Sequence, residues 1–349
     1  GQSAVPISKA ERLQRIANVQ GRMRAAGIGA MLVEPGSSLV YFSGINWWRS
    51  ERVTAFLIPA EGEGIVVTPF FEAPSIRESL AIPAEIRTWN EDDDPMMLAA
   101  NWLKEHKLTR LPVAVEETVR HFVADGLRRA LPSIDVVSGA SVVRACRMRK
   151  SSAEIALMQT ASDITIQAFR QVGQPIEKGM TPSDIGRMIQ ATTSAMGGES
   201  ELPLVLLGEA SAYPHGSGMP QRVREGEVIL IDGGCTVHGY TSDISRTMVF
   251  GEPNRLQRTV WEHVHRGQQI ALEAAQNGAT AGSVDDTVRT WYTRLGYGPD
   301  YKLPGLSHRT GHGIGMDGHE PVNLVRGERT RLEPGMCFSN EPGIYIPGK

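Results

Sequence analysis

The 349-residue sequence predicts an α/β (α+β) protein of two domains. Helical and strand-like segments alternate over the first 150 residues, which implies an α/β layer. Beyond residue 150 the texture changes to long helices followed by strand-rich runs. The length suffices for two domains, and 41% hydrophobic with 21% charged residues is ordinary for a globular chain.

Residues 9–27 space Leu13, Ile16, Val19 and Met23 as a helix does and end at Gly27. The runs AMLVEP, LVYFSG, TAFLIP and GIVVTP are short, apolar and closed by Pro or Gly, as strands with turns are. PMMLAANWLKEHKL then reads as a helix, PVAVEET as a strand and HFVADGLRRAL as a helix. Near Arg147–Lys150 the chain turns basic and polar, and Ser151 with Glu154 has capping-box spacing at the start of a new helix. The domains are therefore drawn as 1–150 and 151–349. In the second, helices are expected over 151–172, 182–196, 254–276 and 283–295. EVILIDGG, TSDISRTMVF and MCFSNEPGIY are expected as β-structure, with carboxylates in or at the end of each run.

A net charge of -3 argues against a chain dominated by nucleic-acid binding. No apolar run approaches the ~20 residues that span a membrane, and the N-terminus lacks the apolar stretch of a signal peptide. Cys146, Cys235 and Cys337 are far apart and form no C-x-x-C pair, so free thiols in a reducing compartment are expected. These features together predict a cytoplasmic protein with no membrane and no nucleic-acid partner.

The stretch SHRTGHGIGMDGHE, residues 307–320, sets His308, His312 and His319 among glycines and contains the pattern G-x-G-x-x-G. A dinucleotide loop needs a strand before it and a helix after it. LPGLSHRT is a poor strand, and Pro321 stands where the helix should open, so the match is accidental.

Carboxylates supply the other reading. Asp232 closes the apolar run VILID, Asp243 lies eleven residues on in TSDISRT, and Glu341 lies in SNEPGIY. A carboxylate at the end of a buried strand costs several kcal/mol unless paired, and Arg246 is an available partner. Two Asp, a Glu and a His at strand ends and Gly-rich turns fit a metal site better than four separate salt bridges. Mixed oxygen and imidazole donors suit Mn²⁺, Zn²⁺, Co²⁺ or Fe²⁺. Glycines around them let the backbone approach without Cβ clashes.

At these positions the sequence resembles the pita-bread metallopeptidases, the family of prolidase, aminopeptidase P and methionine aminopeptidase. IDGG, TSDISRT, HRTGHGIG and NEPGIY stand in the family's order and spacing, and the resemblance covers residues 151–349. The first half resembles the creatinase-type domain of the proline-directed branch. The resemblance implies two divalent ions (Mn, Zn or Co), with Asp232 on one, Asp243 bridging, and His312 and Glu341 on the second. It makes Glu341 the proton acceptor for a bridging water. His308 and His319 would hold the scissile carbonyl and developing oxyanion, and His215 the proline end of a small peptide. Tyr345 falls in a family motif, and Trp47 and Trp48 in INWWRSERV are expected to cap the site of a partner subunit in a homodimer. The family's second bridging Glu falls beyond Lys349, so a further C-terminal segment is expected.

The implied activity is hydrolysis of Xaa-Pro bonds, in dipeptides by preference, with aminopeptidase P action on longer peptides as the alternative. Other reactions on the scaffold are weighed by their residues. Creatinases have lost the ligands retained here, lyases vary the surrounding histidines, and non-catalytic relatives carry charged tails absent from this sequence.

Overall fold

The structure, a computed structural model, describes residues 4–349. Two compact units divide the chain, Ile7–Arg147 and Met148–Lys349. The first contains α1 (Lys9–Ala25), β1 (Ala30–Val33), α2 (Ser37–Ser43), β2 (Ala55–Pro59), β3 (Gly64–Pro69) and α3 (Ala73–Ser79). It continues through β4 (Ala84–Trp89), α4 (Pro95–Glu105), β5 (Val113–Val115), α5 (His121–Ala130), β6 (Val136–Ser138) and α6 (Ala140–Arg147). Its sheet has the order β4-β3-β2-β1-β5-β6. The short β2–β3 link gives an antiparallel pair, while α3 and α5 carry the chain over to parallel β4 and β6. Leu32, Leu57, Ile65, Val113 and Trp102 are buried together at the centre of its core.

One segment departs from its predicted form. LVYFSG lies in helix α2, not in a strand. A short unbroken apolar run does not by itself separate strand from buried helix. Here Gly44, at φ 81°, accepts the left-handed stop and donates its N–H to Val40 O. A Cβ on Gly44 would stand 2.7 Å from Ala81 Cβ, so the position also needs glycine for space.

The second unit contains α7 (Ser152–Gly173), α8 (Pro182–Ala195), β7 (Leu204–Leu207), β8 (Val228–Gly233), β9 (Thr236–Val237), β10 (Tyr240–Thr241) and β11 (Ile244–Val249). Then follow α9 (Arg255–Ala274), α10 (Ala281–Arg294), β12 (Gly311–Gly313) and β13 (Glu320–Leu324). The Ser151–Glu154 capping box opens α7 as the spacing predicts, and Thr181–Asp184 and Asn254–Gln257 do the same for α8 and α9. β8 is the middle strand of an antiparallel sheet, β11-β8-β7, packed on α7 and α8 through Phe169, Ile189, Val205 and Ile231. A second core joins α9 and α10 to the β12–β13 hairpin through Ala271, Val288, Tyr292 and Leu324.

MCFSNEPGIY, expected as β-structure, forms only single bridges, Met336 to Arg149, Phe338 to Gly313 and Tyr345 to Gly305. Two prolines in the stretch 342–347 and a turn at Glu341–Gly343 interrupt the ladder. Cys146, Cys235 and Cys337 are free thiols, the first two buried and the third half-buried. No helix among the described residues is long and apolar enough to cross a membrane.

Candidate metal centre

The register of β8 and β11 sets Asp232 opposite Ser245, and Asp243 precedes β11 by one residue. The β12–β13 hairpin delivers His312 from the other core. Its glycines answer the sequence question. A Cβ on Gly311 would lie 1.9 Å from Ser339 O, and one on Gly313 would lie 2.2 Å from Glu320 O. Only glycine lets the backbone on both sides of His312 run this close to its neighbours. Ser339 closes on the same strand, accepting His312 N–H at 3.0 Å and donating its own N–H to His312 O at 2.7 Å. Glu341 is fixed by its N–H donating to Thr310 O at 2.8 Å.

The result is a cluster in which donor atoms of Asp243, His312 and Glu341 lie within 4.8 Å of one another. His312 Nε2 stands 3.0 Å from Asp243 Oδ2 and 3.4 Å from Glu341 Oε2. Its other nitrogen, Nδ1, donates to Gly313 O at 2.8 Å. That bond fixes the ring and turns Nε2 toward the carboxylates, as in a metal-ligating histidine.

The electrostatics ask for a cation. Burial, then the charges of Asp243 and Glu341, push the Asp232 carboxyl up to about 7. Burial also acts against the charged forms of Asp243 and His312, but their mutual hydrogen bond overrides it. Asp243 is held below the usual carboxylate range. Glu341 adds to the effect on His312, which rises to about 10. Both raised groups favour positive charge or a proton at this donor set, which a divalent ion would supply, and the residues fit such an ion. Arg246, the alternative partner for Asp232, is exposed and donates to Ser245 O, and no salt bridge among the described residues includes it.

One cleft in this unit is lined by Asp232, Asp243, His312, Glu341, His308, His319, His215 and Tyr345. His319 is exposed and meets the His312 ring edge-on, centroids 4.1 Å apart. Although the residue is exposed, the partial desolvation of its ring against His312, then the His312 charge, hold His319 below the usual imidazole range. His308 is also held low, chiefly by burial. Its Nδ1 donates to Arg309 O at 2.6 Å, and Tyr345 Oη donates to its Nε2 at 2.8 Å. His215 stands exposed on the loop after β7. Trp47 and Trp48 belong to the N-terminal unit, where they stack at 4.0 Å. Trp48 is 63% exposed, and Trp47 Nε1 donates to Glu72.

Residues 156–349 match the description of metallopeptidase family M24, and residues 15–149 match the creatinase/prolidase N-terminal domain. The chain belongs to metallopeptidase family M24. It is 32% identical over 341 residues to the probable dipeptidase PepE of Mycobacterium tuberculosis, covering 96% of this chain and 88% of that protein. It is 33% identical over 325 residues to the Xaa-Pro dipeptidase of Lactobacillus helveticus, covering 89% and 84%. The crystal structure of dipeptidase PepE from Mycobacterium ulcerans superposes with a TM-score of 0.90 at 29% identity, covering 99% and 92%. The two units of this family member are thus a creatinase-like N-terminal domain and a pita-bread catalytic domain, and the chain is a metallopeptidase that uses divalent metal.

Sequence reasoning passed over the residues that brace the site. These are Ser339 behind His312, and Asp285 with Arg289 on α10. The last pair had a visible signal, an Asp and an Arg four apart on a helix, but that spacing is most often a solvated surface pair.

Proposed function

We propose that this metallopeptidase hydrolyses Xaa-Pro bonds, in dipeptides by preference. The observation that carries the reading is the convergence of Asp243, His312 and Glu341 on one point, with Asp232 beside Asp243, and a pattern of raised and lowered pKa values that a divalent cation relieves. The names of the Lactobacillus relative and of several similar structures agree with it.

In this reading Asp232, Asp243, His312 and Glu341 would hold two divalent ions, Mn, Zn or Co. Such ions acidify water and polarise a carbonyl oxygen. Glu341 would accept the proton of the attacking water, a role that needs a carboxylate within hydrogen-bond reach. His319, neutral in the cleft, donates an N–H to the carbonyl oxygen as charge builds on it. His308 acts together with Tyr345. Because its Nδ1–H is committed to Arg309 O, its cleft-side nitrogen accepts from the Tyr345 hydroxyl. The pair holds one proton that can be passed to a substrate oxygen. His215 faces the proline end. We assign the Trp47–Trp48 stack a role in limiting peptide length in a homodimer, and the cell compartment to the cytoplasm.

The test is Leu-Pro hydrolysis by metal-stripped protein, then with Mn²⁺ or Zn²⁺ restored. Activity should return with metal and exceed that on Leu-Gly and on Leu-Pro-containing tetrapeptides. Metal-dependent cleavage of Leu-Gly in preference to Leu-Pro would overturn the proline reading. Replacing Trp47 and Trp48 together by Ala is expected to raise tetrapeptide turnover relative to dipeptide. An unchanged ratio removes them from the specificity account.

A further inference from the structure

The α10 helix carries an ion pair that the reaction does not touch. Asp285 and Arg289, one turn apart, have side chains 0% and 7% exposed, and Arg289 Nε donates to Asp285 Oδ2 at 2.8 Å. A buried pair is worth little as a mere charge contact, because desolvation cancels most of the attraction. This one is spent on the neighbouring backbone. Arg289 Nη1 donates to Asp300 O at 2.9 Å and to Leu306 O at 2.7 Å, and Nη2 donates to His308 O. The guanidinium lies on the Tyr301 ring, 4.2 Å from its centroid. The other carboxylate oxygen, Asp285 Oδ1, accepts from Thr310 N at 3.0 Å and from Thr310 Oγ1 at 2.8 Å. Thr310 O in turn accepts the Glu341 N–H.

We propose that Asp285 and Arg289 are positioning residues for the cleft, a clamp that sets the backbone of 306–310 and with it the His308 ring. The segment it grips has no regular ladder of its own before β12 begins at Gly311. Its carbonyls at 306 and 308, with that of Asp300 before it, all accept from one guanidinium, a planar fork of five donors that no other side chain supplies. Lysine at 289 keeps the charge and can keep the contact with Asp285, but one ammonium cannot hold all three carbonyls. The clamp thus works by the shape of the fork and not by charge alone. Its effect on turnover rests on the proposed role of His308. Its effect on the His308 ring does not.

The experiment compares Arg289→Lys and Thr310→Val with a packing control, Val288→Ala, beside Arg289 on α10 and also buried. The readout is the ring Cε1–H resonance of His308 in the metal-loaded protein, assigned by its loss in His308→Gln. Arg289→Lys is expected to shift or broaden that resonance and to lower kcat/KM for Leu-Pro on the order of tenfold, mostly in kcat, with bound metal unchanged. Thr310→Val, an isosteric change that removes one bond, should move the resonance the same way by less. Val288→Ala should lower the melting temperature and leave the resonance in place. A His308 resonance unmoved in Arg289→Lys, or moved as far in Val288→Ala, overturns the clamp. If the wild type does not cleave Leu-Pro, the proline reading fails and the resonances still decide the clamp.

Discussion

Asp285 and Asp232 lie in the same unit, and their surroundings differ in one respect. Asp285 is sealed in the α10 core with a guanidinium on one oxygen and two Thr310 donors on the other. Asp232 lies at the end of β8, beside Asp243 and near Glu341, with a Ser245 hydroxyl to favour its charge. Inside a protein an unpaired charge costs far more than a hydrogen bond returns, so a chain that was only being folded would treat both carboxylates alike. The one that is satisfied builds the frame. The one that is not satisfied marks where an ion and a substrate belong, which is why shifted groups gather at functional sites.

The largest effect expected from this contrast lies on the unsatisfied side. Glu341→Gln keeps the shape of the side chain and removes its power to accept a proton. A loss in kcat on the order of 10²–10⁴ is expected, the range for a general base. Steady-state hydrolysis of Leu-Pro at saturating Mn²⁺ measures it, with bound metal and the melting curve as checks, because Glu341 is also a proposed ligand. A fall of less than tenfold would take the acceptor role from Glu341.

On the satisfied side the cost falls on stability. Asp285→Ala leaves Arg289 buried without its counter-charge and Thr310 N–H and Oγ1 without their acceptor. Breaking a buried pair in this way costs about 3–5 kcal/mol. Urea denaturation should show the midpoint falling with little change in slope. A loss under about 1 kcal/mol would mean that water or a shifted side chain replaces the carboxylate, and the frame would be looser than its hydrogen bonds imply.

How much of this was legible beforehand follows the same division. Asp232, Asp243, His312 and Glu341 could be picked out because each sits where a charged residue has no folding reason to be, at the end of an apolar run or beside glycines. The long helices were legible from their periodicity and their caps, Ser151 with Glu154 among them. LVYFSG was not, because four apolar residues in a row carry no period, and the choice between helix and strand was made by Gly44 and its packing. The Asp285–Arg289 clamp was also illegible. Nothing local separates a buried i,i+4 pair from a solvated one; its burial is decided by Leu306, His308 and Thr310, some twenty residues away.

The smallest effect is the one with the opposite sign. In metal-free protein the folded state holds Asp232 at about 7, above the ordinary value of 3.8 that stands for the unfolded chain. An acid raised by folding favours the folded state when protonated, so its contribution is fully present below the unfolded value and is lost as pH climbs through 7. Asp243, held low chiefly by its hydrogen bond with His312, gives part of this back, so the net cost of the pair above pH 7 is smaller than the Asp232 shift alone would set. Asp232→Asn removes the charge and should therefore raise the melting temperature of the metal-free protein at pH 8 by a few degrees. The gain should shrink to nothing near pH 4. The same variant should lose the stabilisation that added Mn²⁺ gives the wild type, because it has given up a ligand. Asp285→Asn, tested beside it, should destabilise at both pH values. If Asp232→Asn also destabilises the metal-free protein at pH 8, Asp232 contributes to the frame as Asp285 does, and the division between the two carboxylates fails.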